Sequence, residues 1–214
     1  NCALEWSPLQ GADAPVSTFA IRQYASAERV VESAVLPSFL YLKDTPPAGE
    51  QPYVAGLMAR EQFKSEPSRC IHSAKSWLCH PGVDREVPIL PWHSVDVPAV
   101  QQMSPVAASA AYLSYLKAAW DQQFAAASPE DAFAQQQITV TVPASFDQVA
   151  QRLTLKAAQA AGFPASTRLL EEPQAAFLAW VSEAANQTAL RTLQQDKAAE
   201  QLTWLVCDVG GGTT

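Results

Sequence analysis

Residues 137–162 constrain the fold more tightly than any other stretch of the chain. Gln137-Ile-Thr-Val-Thr-Val142 alternates apolar and polar side chains, the period of a strand with one face in a core. Pro143 lacks a backbone donor and ends that strand. Residues 145–161 read as a helix, closed by Gly162. The same grammar then repeats. A short strand falls at 167–170, and Glu171-Glu-Pro173 opens a helix over 174–185. Polar helix follows over 186–200, and a final apolar strand over 202–209. Ahead of all this, Val100, Met103, Val106, Ala107, Ala110, Leu113, Leu116 and Trp120 recur near helical spacing within 97–124. Pro98 suits a helix first turn there, and Pro105 bends or splits the helix. The second half therefore runs helix, strand, helix, strand, helix, strand, an α/β layered pattern.

The first half reads as short strands with a helix-bearing insert. Strands are expected at 1–6, 17–22, 36–42 and 52–55, and helices at 56–64 and 67–78. The Pro-rich stretch 81–98 has no clear period and reads as a surface loop. Hydrophobic residues make up 48% of 214, enough for a substantial core. A net charge of −7 leaves no basic footprint and argues against nucleic acid as a partner. No apolar run is long enough to span a bilayer and no signal peptide is visible, so a membrane partner is not expected. Cys2, Cys70, Cys79 and Cys207 form no C-x-x-C pair, and the expected setting is the reducing cytoplasm. Cys70 and Cys79 flank the 67–78 helix beside His72 and His80, in no spacing typical of zinc. Cys207, inside an apolar run, reads as a small buried hydrophobe. The chain begins without Met, in a strand, and finishes within a Gly-rich loop, so it reads as a stretch of a longer protein.

That closing loop carries the first chemistry. Trp204-Leu-Val-Cys-Asp-Val-Gly-Gly-Gly-Thr-Thr214 delivers an aspartate from an apolar strand into three glycines and two threonines. Without Cβ atoms, Gly210, Gly211 and Gly212 let backbone N–H groups close on an anion. Asp208 is placed to hold the shell of a phosphate-bound Mg²⁺, directly or through water. A glycine triplet by itself suits an ordinary tight turn; its combination with the strand, Asp208, Thr213 and Thr214 favours the phosphate loop.

Four segments, taken in order, resemble the nucleotide-binding domain of the 70-kDa heat-shock chaperones, the DnaK-like family of the actin and sugar-kinase ATPase superfamily. They are Ile138-Thr-Val-Thr-Val-Pro-Ala-Ser-Phe-Asp147, Ala150-Gln-Arg-Leu-Thr-Leu-Lys-Ala-Ala-Gln-Ala-Ala-Gly162, Leu169-Leu-Glu-Glu-Pro-Gln-Ala-Ala-Phe-Leu-Ala-Trp180 and Asp208-Val-Gly-Gly-Gly-Thr213. The resemblance is strong from about Gln137 onward, weaker over 36–81 and poor over 81–95. It implies an α/β, actin-like (ribonuclease H-like) lobe: a mixed β-sheet flanked by helices, with a smaller α+β insert. The core subdomain would comprise 1–37 and 95–214, and the insert 38–94. It implies ATP/ADP and Mg²⁺ as cofactors. The implied partners are a second nucleotide-binding lobe, a C-terminal substrate-binding domain and co-chaperones. In such a parent, ATP hydrolysis drives conformational change in the partner domain, and the isolated chain is expected to be inactive.

Residue by residue, the resemblance implies that Glu172 positions the attacking water or the Mg²⁺ shell, and that Lys75 contacts the γ-phosphate. It implies that Asp208 organises Mg²⁺, and that Thr213 with the Gly211 and Gly212 N–H groups holds phosphate oxygens. Thr214 stands where the family often has Phe. Asn1 would follow directly on the first phosphate loop, next to the nucleotide. Pro143 matches a switch proline and Arg152 the arginine that relays it. Local alternatives stand beside each role. Glu172 before a proline also suits a helix N-terminus, where Glu171 serves equally. Lys75 and Arg152 also read as exposed helix cations, and Pro143 as a plain strand stop. After Lys75 the family continues Arg-Leu-Ile-Gly, whereas this chain has Ser76-Trp77-Leu78-Cys79. Two other functions compete: a non-catalytic scaffold of the same fold, and a small-molecule kinase of the superfamily, for which no sugar-kinase signature is found.

Overall fold

The computed structural model describes residues 1–9, 14–197 and 203–207. The chain is mixed α/β, but among the described residues its strands form four small sheets in place of one mixed sheet. Strands β1 (Glu5–Trp6) and β2 (Ser17–Thr18) pair antiparallel, as do β3 (Ile21–Tyr24) and β4 (Val30–Ser33). In the expected first strand, Cys2 makes an isolated bridge to Leu36 and the ladder begins only at Glu5. Strands β5 (Phe39–Leu42), β6 (Tyr53–Ala55) and β7 (Cys70–His72) form an antiparallel sheet in the order β6-β5-β7. Strands β8 (Thr139–Val142) and β9 (Arg168–Glu171) pair in parallel.

Helix α1 (Leu57–Gln62) follows β6 through Gly56, whose φ of 82° and ψ of −140° favour glycine. A Cβ there would meet Leu36 Cδ1 at 2.6 Å and Gln23 Oε1 at 2.7 Å. Gln23 is buried, yet satisfied: its Nε2 donates to Val35 O at 2.9 Å and its Oε1 accepts from Leu57 N at 3.1 Å.

The expected helix over 67–78 is corrected. Pro67–Arg69 is a single 3₁₀ turn, β7 takes the next three residues, and only Ala74–Leu78 (α2) is α-helical. Ile71, Ala74 and Leu78 are spaced as on one helix face and all are buried, but β5 had a free edge and pairs with Cys70–His72 as a strand. Ser73 makes the change of direction in left-handed conformation, φ 57° and ψ 26°.

Helix α3 (Pro105–Trp120) starts later than the 97–124 pattern suggested. Ser104 caps it by accepting from Ala107 N at 3.0 Å, and Pro105 opens its first turn. Ala99–Gln101 is a separate 3₁₀ turn, so Val100 leaves the apolar stripe and is 92% exposed. The buried face is Val106, Ala108, Ala111, Tyr112, Leu116 and Trp120. Helix α4 (Gln148–Ala160) packs along α3 through Ala150, Ala157, Ala158 and Ala161, small side chains that let the two axes approach. Gly162, at φ 83°, ends it.

Two further helices complete the described chain, α5 (Glu172–Ser182) and α6 (Ala184–Lys197). Residues 203–207, expected within a final strand, carry no strand. Trp204 instead rests on α5, its ring 6.2 Å from Phe177 and 5.7 Å from Trp180. Without a ladder to bury alternate side chains, Leu205 is 94% exposed, and Cys207, expected in a core, is exposed as well.

Candidate functional site

Parallel strands β8 and β9 finish level with one another, Val142 opposite Glu171. The residues that follow, Pro143 and Glu172, therefore leave the same carboxyl edge of the pair. In α/β sheets, ligands gather outside that edge. Pro143 is buried, and its carbonyl accepts from Phe146 N at 3.0 Å to close the turn into α4. Asp147 then caps α4, its Oδ1 accepting from Ala150 N at 2.6 Å. That N–H, followed by Arg85 beside it at 3.4 Å, holds the Asp147 carboxyl below its ordinary range. Glu172 is the first residue of α5, with Pro173 behind it and Glu171 as the flanking cap residue.

Lys75 comes from far away in sequence. Ser73 redirects the chain, α2 begins, and the Lys75 ammonium forms an ion pair with Glu172 Oε1 across 97 positions. Glu172 is 21% exposed and Lys75 48%. A pair this wet contributes about 0–1 kcal/mol to stability. Its significance is positional: one ammonium and one carboxylate stand together at a sheet edge. A carboxylate can hold water on a hydrated cation, and an ammonium can take phosphate oxygens.

The other predicted residues divide. Arg152 lies exposed on α4. Asn1 is exposed, next to the bridge between Cys2 and Leu36. Asp208, Gly210, Gly211, Gly212, Thr213 and Thr214 lie outside the described residues. The four cysteines are free thiols, and among the described residues no three His, Cys, Asp or Glu side chains gather as metal ligands. Among the described residues no helix is long and apolar enough to cross a membrane. A crevice of about 430 Å³ opens on the other side of α2, lined by Ile71, His72, Trp77, Leu90, Trp92 and His93. Lys75 and Glu172 do not line it.

Two features of the site were missed from sequence. Arg85 approaches Asp147 from the 81–98 stretch, where nothing in the sequence marks a partner. Trp77 packs against Trp92 with centroids 4.9 Å apart and the ring planes tilted by 34°. The only signal for the second was two tryptophans bracketing a loop of otherwise aperiodic composition.

The family model described as "Hsp70 protein" matches residues 49–214. A "Chaperone protein HscA homolog" of Methylobacillus flagellatus is 34% identical over 188 residues, covering 84% of this chain and 26% of the relative. Proteins of the same description match from Actinobacillus pleuropneumoniae, at 28% identity over 85% of this chain and 27% of the relative, and from Burkholderia orbicola, at 32% over 74% and 23%. A mixed α/β chain with an acid–base pair at the carboxyl edge of parallel strands is the class its structure defines. The chain belongs to the Hsp70 family. It spans about a quarter of the length of the curated relatives it matches.

Proposed function

We propose that this chain is the first lobe of the ATP-binding domain of a cytoplasmic Hsp70-type chaperone. Its parent would hydrolyse ATP with Mg²⁺ to drive a change in a substrate-binding domain. The observation that carries the reading is the Lys75–Glu172 pair, which joins a family lysine and a family glutamate across 97 positions. On this reading 1–37 and 95–214 form the core subdomain and 38–94 the insert.

The residues present fit a metal-bound polyphosphate, because the pair offers one cation and one anion at a shared edge. When bound, Mg²⁺ would neutralise charge on the β- and γ-phosphates. Glu172 would hold a water for in-line attack, and the Lys75 ammonium would turn from the carboxylate to a γ-phosphate oxygen. Asp208 would complete the metal's shell; Gly210, Gly211, Gly212, Thr213 and Thr214, with Asn1, would hold the nucleotide. Pro143, at the buried turn beside this edge, would transmit the state of the site along α4 to Arg152, whose exposed guanidinium is free to meet a partner domain. Taken by itself the 214-residue chain would turn over negligible ATP.

Single-turnover hydrolysis by the full-length parent tests this. Glu172→Gln is expected to slow the chemical step by about 10²–10⁴-fold while ATP affinity stays within a few-fold. An unchanged rate removes the assignment. Calorimetry without detectable ATP affinity selects the non-catalytic scaffold, and phosphorylation of a sugar panel selects the kinase.

A further inference from the structure

Helix α2 carries Lys75 but has five residues, too few to stand unaided in water. Ala74 and Leu78 bury one side of it, in two different core clusters. Its Ser73 cap residue is left-handed and makes no side-chain cap bond. Trp77, the aromatic residue of the helix, lies in a row of rings. His80 sits 5.3 Å from it and Trp92 4.9 Å, and His93 follows 4.4 Å from Trp92.

Trp92 is 46% exposed, but the loop that carries it is fastened at several points. Arg85 Nη1 meets Asp147 at 3.4 Å, and Arg85 Nε donates to His80 O at 3.2 Å. Glu86 pairs with Lys156 on α4. Leu90 and Met103 exchange backbone hydrogen bonds of 2.9 Å in both directions. At the far end, the buried Arg69 donates to Asp96 O at 3.0 Å. Leu90 and Val97 are themselves buried.

We infer that Trp92, through Trp77, is a positioning residue for Lys75: the 81–98 strap braces α2 from behind so that the ammonium meets Glu172. The inference rests on the proposed function and deepens it. It also gives a physical account of the departure from Arg-Leu-Ile-Gly after the lysine. The 81–98 strap supplies the ring against which Trp77 packs. The same strap meets α4 at its Asp147 cap and, more than two turns further on, at Lys156, so the lysine helix and α4 share one support.

The test uses the full-length parent, comparing wild type with Trp92→Ala and Trp92→Phe. Hydrogen exchange at the amides of 76–79 reads the brace without nucleotide. ATP turnover, as kcat and KM, reads its consequence. In Trp92→Ala those amides are expected to exchange roughly 3- to 10-fold faster, the loss of one aromatic pair. Its kcat is expected to fall about 10- to 100-fold with KM within about threefold, the signature of a displaced group. Trp92→Phe keeps a ring on Trp77 and is expected to recover both. Unchanged exchange overturns the brace. Faster exchange with unchanged kcat, a KM that rises in step, or no recovery with Phe overturns the positioning role. A wild-type parent that hydrolyses no ATP overturns the functional reading and takes the positioning role with it, while the exchange data separately report whether the strap holds α2.

Discussion

Replacing Arg69 by Met should loosen the joint between the insert sheet and the segments around it. The Arg69 side chain is 9% exposed and reaches four groups. Its Nε donates to Leu42 O at 2.9 Å, its Nη1 to Asp96 O at 3.0 Å, and its Nη2 to Gln101 Oε1 at 3.4 Å. The fourth partner, Asp44 at 3.5 Å, is 82% exposed, so water screens it and its share is small. Met fills much of the volume but donates nothing, leaving the Leu42 and Asp96 carbonyls without their guanidinium donors. Hydrogen bonds to a charged donor are worth about 1.5–3 kcal/mol each, and relief from burying the cation returns part of that. The expected loss is about 2–4 kcal/mol, or about 5–15 °C in Tm for a chain of this size. Urea unfolding read by tryptophan fluorescence measures it, with Asp44→Asn as the companion expected to change stability by less than about 1 kcal/mol. A Met variant within about 0.5 kcal/mol of wild type, at equal m-value, would show that the carbonyls do not depend on Arg69 and would refute the reasoning.

Three further outcomes are expected. Gly56→Ala adds a Cβ at a backbone angle suited to glycine and into contacts of 2.6 and 2.7 Å, so it should cost about 2–4 kcal/mol in the same assay. Asp147 has its folded pKa lowered, so its contribution is present above the unfolded value, about 3.9, and is lost as pH falls through the lower folded value. Asp147→Asn keeps a cap and should therefore flatten the stability-versus-pH curve below about pH 4, which acid titration of unfolding would reveal. Burial pushes the Cys70 thiol up to about 11, so alkylation at pH 8 should spare it until denaturant is added, whereas exposed Cys207 reacts in the native state; peptide mapping distinguishes the two.

Legibility followed the reach of the interactions. The β8, α4, β9 and α5 sequence was readable because each element carries its own punctuation: alternation in 139–142, Pro143, Gly162 and the Glu-Pro start of α5; the Asp147 cap, which starts α4 three residues later than the expected 145, was not read. The β3–β4 hairpin was missed over Val30–Ser33, although Val30 and Val31 beside polar 25–29 were a usable signal. Over 67–78, Ile71, Ala74 and Leu78 suit a helical period and a strand-then-helix path alike, so local pattern does not separate the two. Glu172 and Lys75 were each singled out by the family resemblance; nothing local in either segment reports that they touch.

The sequence by itself determined the order β8, α4, β9, α5 and the family, since these depend on neighbours within a few turns. Tertiary structure decided which edge β5 would offer to Cys70–His72, how Ser73 turns α2, and that an ammonium and a carboxylate 97 positions apart would meet. Those outcomes depend on free sheet edges and on rings packed from a distant loop, and a chain acquires such partners only when it closes on itself.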